Sequence, residues 1–139
     1  MVIVSEGYKF IGAALVLALI FGAFVHLYAA LPFVVLACYF AYFFRSPART
    51  IVADEHHILS PADGTVTEIS SVGVDDFVGE PCNKVVIFMS VFNVHVNRSP
   101  IDGEIKLQKY YCGRFRPAYK DEVGFENEHH LIGIDRGDL

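Results

Sequence analysis

The segment FNVHVNRSPIDG, from Phe92 to Gly103, decides how the rest of the chain is interpreted. It follows the most strand-like apolar run of the sequence, Lys84 to Val91, which has the composition of a buried, central strand. The segment brings a histidine, two amides and an arginine close together, and a Pro-Ile-Asp-Gly turn ends it. Polar groups are costly to bury without partners, so this cluster indicates a functional site.

The Pro-Ile-Asp-Gly turn has a close repeat earlier in the chain. PADGTV at Pro61–Val66 matches PIDGEI at Pro100–Ile105, and in each case a turn leads into a strand. Two such units predict a small, mostly β barrel or sandwich with related halves. Apolar alternation predicts further strands at Glu104–Cys112 and His129–Ile134.

Two residues of these motifs have both an ordinary and a functional interpretation. Asp63 suits a turn, where its side chain bonds nearby backbone amides. His95 is either a hydrogen-bonded core histidine or a catalytic one.

A strongly apolar stretch, Phe10 to Phe44, lies upstream of the β region and contains no Asp, Glu, Lys or Arg. One unbroken helix over it would be about 50 Å long, well beyond a hydrocarbon core of about 30 Å. Pro32 interrupts the run, so we predict two helical legs, Phe10–Leu27 and Phe33–Phe44. They fold as a hairpin that crosses the membrane or enters one leaflet. A cleaved secretory signal is the alternative, but it would not need the second leg.

Basic residues flank both ends of this hairpin, with Lys9 before the first leg and Arg45 and Arg49 after the second. By the positive-inside rule, both ends face the cytoplasm, and so does the soluble part at the cell membrane. We predict a membrane-associated hairpin with its linker over residues 1–48 and a β-rich catalytic domain over residues 49–139. The formal charge of −5 argues against nucleic acid as a partner.

The cysteines and histidines indicate neither a disulfide framework nor a metal centre. Cys38, Cys82 and Cys112 are widely spaced, and we interpret them as reduced thiols. His56 and His57 are adjacent, so on an extended segment they would point to opposite faces and make a poor chelate. We therefore predict no metal site.

Four motifs together resemble one known family. They are FFRSP at Phe43–Pro47 after the hairpin, SPADG at Ser60–Gly64, the segment Phe92–Gly103, and the Asn127-Glu128 pair. In order and spacing they are similar to the phosphatidylserine decarboxylase family, in its short, membrane-anchored prokaryotic branch. The resemblance covers essentially the whole chain and corresponds to the N-terminal, β-chain portion of the proenzyme.

The resemblance implies conversion of phosphatidylserine to phosphatidylethanolamine and CO2 in phospholipid biosynthesis. Loss of CO2 from an amino acid leaves a carbanion, and this family stabilises it with a covalent pyruvoyl group made from its own serine. Asp63 matches the aspartate that supports self-cleavage by orienting a histidine. His95 matches the histidine that moves protons during processing or at the decarboxylated carbon. Histidine suits such a role because a free imidazole, with a pKa of about 6.5, both accepts and donates a proton near neutrality.

Longer members of the family carry a second histidine three residues after the first, where this chain has Arg98. Either one histidine serves both steps, or Arg98 binds the lipid phosphate or the substrate carboxylate through its bidentate fork. Asn93 and Asn97 are further candidate substrate-binding residues.

No glycine in the 139 residues is followed by serine, so the serine that forms the pyruvoyl group is absent. We therefore expect a chain that is truncated before the processing site, incomplete at the end of its β domain and inactive by itself. Its expected partners are an α chain carrying the pyruvoyl group, the phospholipid substrate and the membrane. The sequence also leaves open whether the chain forms a homo-oligomer.

Two alternatives stay open at this point. An archaeal-type lipid with the same serine headgroup would undergo the same chemistry. The paired turns also suit a non-catalytic, carrier-like binding module held at a membrane. A carrier presents a lysine at a hairpin tip, whereas Lys84 and Lys106 lie inside or beside predicted strands.

Overall fold

The computed structural model describes residues 2–50, 57–116 and 126–137. The chain divides into two compact units, Met1–Val52 with Met89–Arg98, and Ala53–Phe88 with Ser99–Leu139. The division into domains at residues 48 and 49 stays a prediction. The helices and strands are β1 (Val2–Ile3), α1 (Ser5–Phe24), α2 (Leu31–Phe43), β2 (Arg45–Ser46), β3 (Thr65–Val74), β4 (Pro81–Phe88), β5 (Glu104–Tyr111) and β6 (His129–Asp135).

The first unit is built on a helical hairpin, as the apolar run with its interrupting proline predicts. A short 3-10 helix, Leu27–Ala30, joins α1 to α2. Pro32 lies in the first turn of α2, where its missing N–H group breaks no helical hydrogen bond. The strands β1 and β2 pair antiparallel, Val2 with Ser46, so the two ends of the hairpin meet.

Small residues form the contact between α1 and α2. Ala14, Ala18 and Ala37 are at most 7% exposed. A Cβ atom at Gly7 would lie 2.6 Å from the Phe44 Cβ, so only glycine permits this approach. Aromatic pairs add to this contact, with Phe10 and Phe40 at 5.5 Å and Phe21 and Phe33 at 4.7 Å between ring centroids. Small residues at the contact let the two helices approach closely, as in helices that pack within a bilayer.

The outward surface of the hairpin is mostly apolar beyond the first turns of α1, where Ser5, Glu6 and Lys9 are exposed. Leu19 is 73% exposed and Phe24 is 85% exposed. A helix that is apolar on all sides suits a lipid environment rather than water. By length and composition α1, with 20 residues, is able to cross a membrane, whereas α2 has only 13 residues.

The second unit contains two antiparallel hairpins, β3 with β4 and β5 with β6. Each follows one of the repeated turns, and the repeat extends to hydrogen bonds: Ser60 Oγ donates to Ala62 O at 2.8 Å, and Ser99 Oγ donates to Ile101 O at 2.6 Å. Both first strands carry a register shift near their start, between Val66 and Glu68 and between Ile105 and Leu107. The related halves expected from the sequence are therefore present.

The glycine of each repeated turn is required by a close backbone approach. A Cβ atom at Gly64 would lie 2.4 Å from Phe88 O, and one at Gly103 would lie 2.7 Å from Asp135 O. In each hairpin the second strand therefore passes directly over the turn glycine.

The strands differ from expectation in their partners. Over the described residues β4 ends at Phe88 and pairs with β3 alone, so it is not the central strand that its apolar run predicts. It alternates in exposure, with Val85 52% exposed, because only one of its faces is covered. The predicted β-rich region is confirmed, and among the described residues its strands form separate two-stranded sheets.

Candidate active site

Residues 89–98 belong to the first unit, where side chains near the end of α2 hold their backbone. Tyr39 Oη donates a hydrogen bond to Val91 O at 3.3 Å, and Arg45 Nη2 donates one to Phe92 O at 3.2 Å. The described part of the segment has no strand pairing. The base of the helical hairpin therefore positions it.

A tight turn and one apolar anchor shape the segment locally. Asn93 N donates to Ser90 O at 2.8 Å, which reverses the chain just before Val94. Val94 is 7% exposed and is the only buried hydrophobic residue larger than alanine among the described residues. Burial of this side chain fixes the position of the residue that follows it.

That residue is His95, a half-buried histidine with two fixed contacts. Its Nδ1 lies 3.2 Å from Asn93 O, and its ring stacks on Phe43 at 4.2 Å between centroids and 20° between planes. A backbone carbonyl only accepts hydrogen bonds, so Nδ1 carries the proton and donates. In neutral His95 the lone pair is therefore on Nε2.

Nε2 of His95 makes no hydrogen bond within the described part of the chain. A histidine held in one tautomer by a carbonyl, with its second nitrogen open, is prepared to accept a proton there and return it. The catalytic role of His95 stays a prediction, and this geometry is compatible with it.

The predicted substrate-binding residues belong to the same unit as His95. Arg98 Nη2 donates to Ser46 Oγ at 3.2 Å and to Pro47 O at 2.6 Å, which ties the segment to the FFRSP motif. Asn97 is exposed, and Asn93 provides the carbonyl that orients His95.

Asp63 lies in the second unit, in the turn that precedes β3. Its side chain is half-buried. Asp63 and His95 therefore belong to separate units. The role predicted for Asp63 stays a prediction.

Phe43 is a contact of His95 that the sequence did not reveal. Its place in an aromatic run at the end of an apolar helix suggests contact with lipid headgroups, and nothing in the sequence links it to His95. The stacked ring is a positioning contact because it restricts the imidazole to one plane.

A second Asn-x-His segment, Asn127 to His129, repeats this local geometry in the second unit. His129 Nδ1 lies 2.7 Å from Asn127 O, and its ring stacks on Tyr111 at 4.7 Å and 20°. Here the neighbouring residues stabilise the hairpin: the Asn127 side chain accepts from Arg116 N at 2.9 Å and donates to Arg116 O at 2.8 Å.

No group of three or more potential metal ligands occurs among the described residues. His57 is described and exposed, whereas His56 lies outside the described residues. Cys38, Cys82 and Cys112 are free thiols.

Comparison with known proteins gives a family that covers most of the chain. The family described as phosphatidylserine decarboxylase matches residues 36–139. No solved structure gives a significant match.

Curated relatives named "Phosphatidylserine decarboxylase proenzyme" match nearly the whole chain. The Carboxydothermus hydrogenoformans protein is 38% identical over 134 residues, which is 96% of this chain and 62% of the relative. The Ralstonia nicotianae protein is 37% identical over 137 residues, 99% of this chain and 63% of the relative. The Symbiobacterium thermophilum protein is 40% identical over 133 residues, 96% of this chain and 61% of the relative.

The chain belongs to the phosphatidylserine decarboxylase family. It spans 61% to 63% of the length of these three relatives. The resemblance seen in the sequence motifs is confirmed.

Proposed function

We propose that the chain is the lipid-facing β-chain portion of a phosphatidylserine decarboxylase, which converts phosphatidylserine to phosphatidylethanolamine and CO2 in phospholipid biosynthesis. Family membership supports the reaction. The observation that carries the proposal is His95, with Nδ1 fixed by a carbonyl, its ring held on Phe43 and Nε2 open.

His95 moves a proton at Nε2. In the neutral form Nε2 accepts a proton from water, and Nδ1–H remains bonded to Asn93 O throughout. The imidazolium that results delivers its Nε2 proton to the carbon that has lost CO2. Because the ring does not need to turn between the two steps, its orientation serves both.

We propose a pyruvoyl group on an α chain as the cofactor. It supplies a carbonyl that withdraws the electrons left behind by CO2. The chemistry of the first unit fits work beside such a group, because that unit offers an open imidazole nitrogen. It contains a single acidic residue, Glu6, so few carboxylates compete for the substrate amine. The precursor serine would belong to the α chain, since no glycine in these 139 residues is followed by serine.

The remaining predicted residues have supporting roles in this proposal. Asp63 orients a histidine during self-cleavage, as the family resemblance implies. Arg98 and Asn97 bind the polar headgroup, and Asn93 positions His95 through its carbonyl.

We propose that the hairpin enters the membrane with its base at the headgroups on the cytoplasmic side. The pairing of β1 with β2 supports this arrangement, because it keeps both ends of the hairpin on one side. Lys9, Arg45 and Arg49 flank that base, as the positive-inside rule requires.

The β hairpins of the second unit expose apolar side chains that a partner chain would cover. Ile69 is 73% exposed, Ile105 is 59% exposed and Ile132 is 49% exposed. Exposed strand edges and apolar faces are sites for further strands. We propose that strands of the α chain complete these sheets as a barrel or sandwich.

The proposed function is tested with a chimaeric proenzyme, in which these 139 residues replace the matching segment of the Carboxydothermus hydrogenoformans relative. We expect membranes containing the chimaeric proenzyme to convert labelled phosphatidylserine to phosphatidylethanolamine, and mass spectrometry to show a cleaved, pyruvoyl-blocked α chain. The relative itself is the positive control. A chimaeric proenzyme that is folded and processed but forms no phosphatidylethanolamine would contradict the proposal.

A further inference from the structure

Two arginines at the base of the hairpin are held in place by neutral oxygen atoms. Arg45 Nη1 donates to Tyr42 O at 2.6 Å, and its guanidinium carbon lies 3.6 Å from the centroid of the Tyr42 ring. Its Nη2 donates to Phe92 O. These contacts fix the direction of the group without neutralising its charge.

Arg98 is fixed on the same two chain segments. Its Nη2 contacts Ser46 Oγ and Pro47 O, directly after Arg45. Each guanidinium has five N–H donors, and these contacts leave several of them available. The described residues form no ion pair between a carboxylate and either Arg45 or Arg98. Two like charges on adjoining segments favour an anion between or beside them.

The charge of the first unit differs sharply from that of the second. The first unit has four basic residues and only one acidic residue, whereas the second holds the other seven basic and fifteen acidic residues. The chain as a whole carries −5, so its cationic side is confined to the hairpin unit. An anionic ligand would be attracted to this unit alone.

We propose that Arg45 and Arg98 form one binding site for the phosphodiester of a phospholipid headgroup, at the base of the hairpin beside His95. The inference rests on the proposed function and assigns its phosphate subsite. A guanidinium pair with fixed forks matches the oxygen atoms of a phosphodiester.

The phosphate fits this pair better than the carboxylate of the substrate does. Decarboxylation removes the charge of the carboxylate, so arginines bound to it would stabilise the ground state and slow the reaction. The phosphodiester keeps its charge throughout, and arginines bound to it contribute equal binding energy at every stage. This phosphate contact by itself therefore lowers KM and leaves kcat unchanged.

Kinetics of the chimaeric proenzyme in mixed micelles test this assignment. We expect Arg45→Gln and Arg98→Gln each to raise KM for phosphatidylserine about tenfold or more, because each loses a charge-assisted contact. Both arginines also hold the segment of His95, so the rise in KM of processed enzyme is the readout of the phosphate site, and a fall in kcat reports the position of His95. The control is Arg116→Gln, because Arg116 already pairs with Glu126 at 3.0 Å and lies in the other unit. An unchanged KM, or an equal rise for Arg116→Gln, would overturn the site.

Direct binding separates this inference from the proposed function. The 139-residue chain in detergent is titrated with dihexanoyl phosphatidylserine, dihexanoyl phosphatidylethanolamine and inorganic phosphate. We expect the two lipids to bind with similar affinity, inorganic phosphate to bind more weakly, and both arginine variants to lose about tenfold or more in lipid affinity. Binding of phosphatidylserine alone would indicate carboxylate recognition, and equally tight binding of inorganic phosphate would exclude a lipid site. Either result overturns the proposal, even if the chimaeric proenzyme is inactive.

Discussion

Two Asn-x-His segments, Asn93–His95 and Asn127–His129, have nearly the same local geometry in two different settings. In both, Nδ1 of the histidine donates to the carbonyl two residues earlier, and the ring stacks on an aromatic side chain at 20°. His95 lies in an irregular segment and stacks on the apolar hairpin. His129 begins β6 and stacks on Tyr111, its partner across the β5–β6 hairpin.

The local hydrogen bond of a histidine therefore does not by itself define a site. Around His129, the Asn127 side chain binds the backbone of Arg116, so the segment stabilises a hairpin. Around His95, the neighbours orient the ring and leave its outer nitrogen at the base of the hairpin. We therefore expect function from His95 and stability from the segment around His129.

Replacement of each histidine gives the largest expected contrast. His95→Ala in the chimaeric proenzyme should lower kcat for phosphatidylserine by about 100-fold or more, because general acid–base catalysis contributes on this scale. His129→Ala should leave kcat within a few-fold of the parent. Activity per processed α chain, counted by mass spectrometry, is the measurement. Equal losses in the two variants would contradict the distinction between the segments.

The stacked aromatic rings provide the next contrast. Phe43→Leu should lower kcat about tenfold, since an aromatic pair contributes about 0.5–1.5 kcal/mol and here restrains the catalytic ring. Phe43→Tyr retains the aromatic face and should retain activity.

The matched change is Tyr111→Leu, because Tyr111 stacks on His129 as Phe43 stacks on His95. This variant should leave kcat unaltered. Steady-state kinetics with a pH profile distinguish positioning from general loss of structure. If Phe43→Leu changes only the amount of folded protein, Phe43 is not a positioning residue.

The Asn127 side chain gives a smaller effect, on stability rather than rate. Asn127→Ala removes two hydrogen bonds to Arg116 and should lower the free energy of unfolding by about 1–2 kcal/mol. Asn97→Ala, at an exposed position, should change it by less than about 0.5 kcal/mol. Denaturant unfolding of the 139-residue chain in detergent measures both. If Asn127→Ala left the free energy of unfolding unchanged, the hydrogen bonds of Asn127 would not stabilise this segment.

The smallest expected effect is the pH dependence of stability that the Tyr110 phenol contributes. The hydrogen bond to the Glu128 carboxylate raises the pKa of Tyr110 to about 12. A phenol pKa that is higher in the folded than in the unfolded chain stabilises the fold below about pH 10, and this contribution is lost as the pH rises toward 12. Tyrosinate absorbance should show one late-titrating group. Glu128→Gln should bring the Tyr110 pKa back toward its ordinary value, and an unchanged titration would contradict this hydrogen bond.

Much of the fold was predictable because its signals are local. The charge-free run with Pro32 predicts a helical hairpin, and alternation after the two Pro-x-Asp-Gly turns predicts the hairpin strands. Helix boundaries shifted by a few residues, since an apolar run does not mark where capping begins.

The placement of His95 was not predictable from local signals. Its segment follows a strand of the second unit but packs with the first, because Phe43, Tyr39 and Arg45 provide contacts that are distant in sequence. Periodicity predicts strands but not which strands become neighbours, so the central position expected for β4 was wrong within the described residues.

Chemical rescue of His95→Ala is the most direct test of the account, because it separates proton transfer from structure. The variant of the chimaeric proenzyme is purified in processed form, and phosphatidylethanolamine formation is measured with and without added imidazole. We expect imidazole to restore activity by about tenfold or more, with a pH dependence that follows the imidazole pKa. A folded, processed variant that imidazole does not rescue, or that retains the activity of the parent, would contradict the assignment of proton transfer to His95.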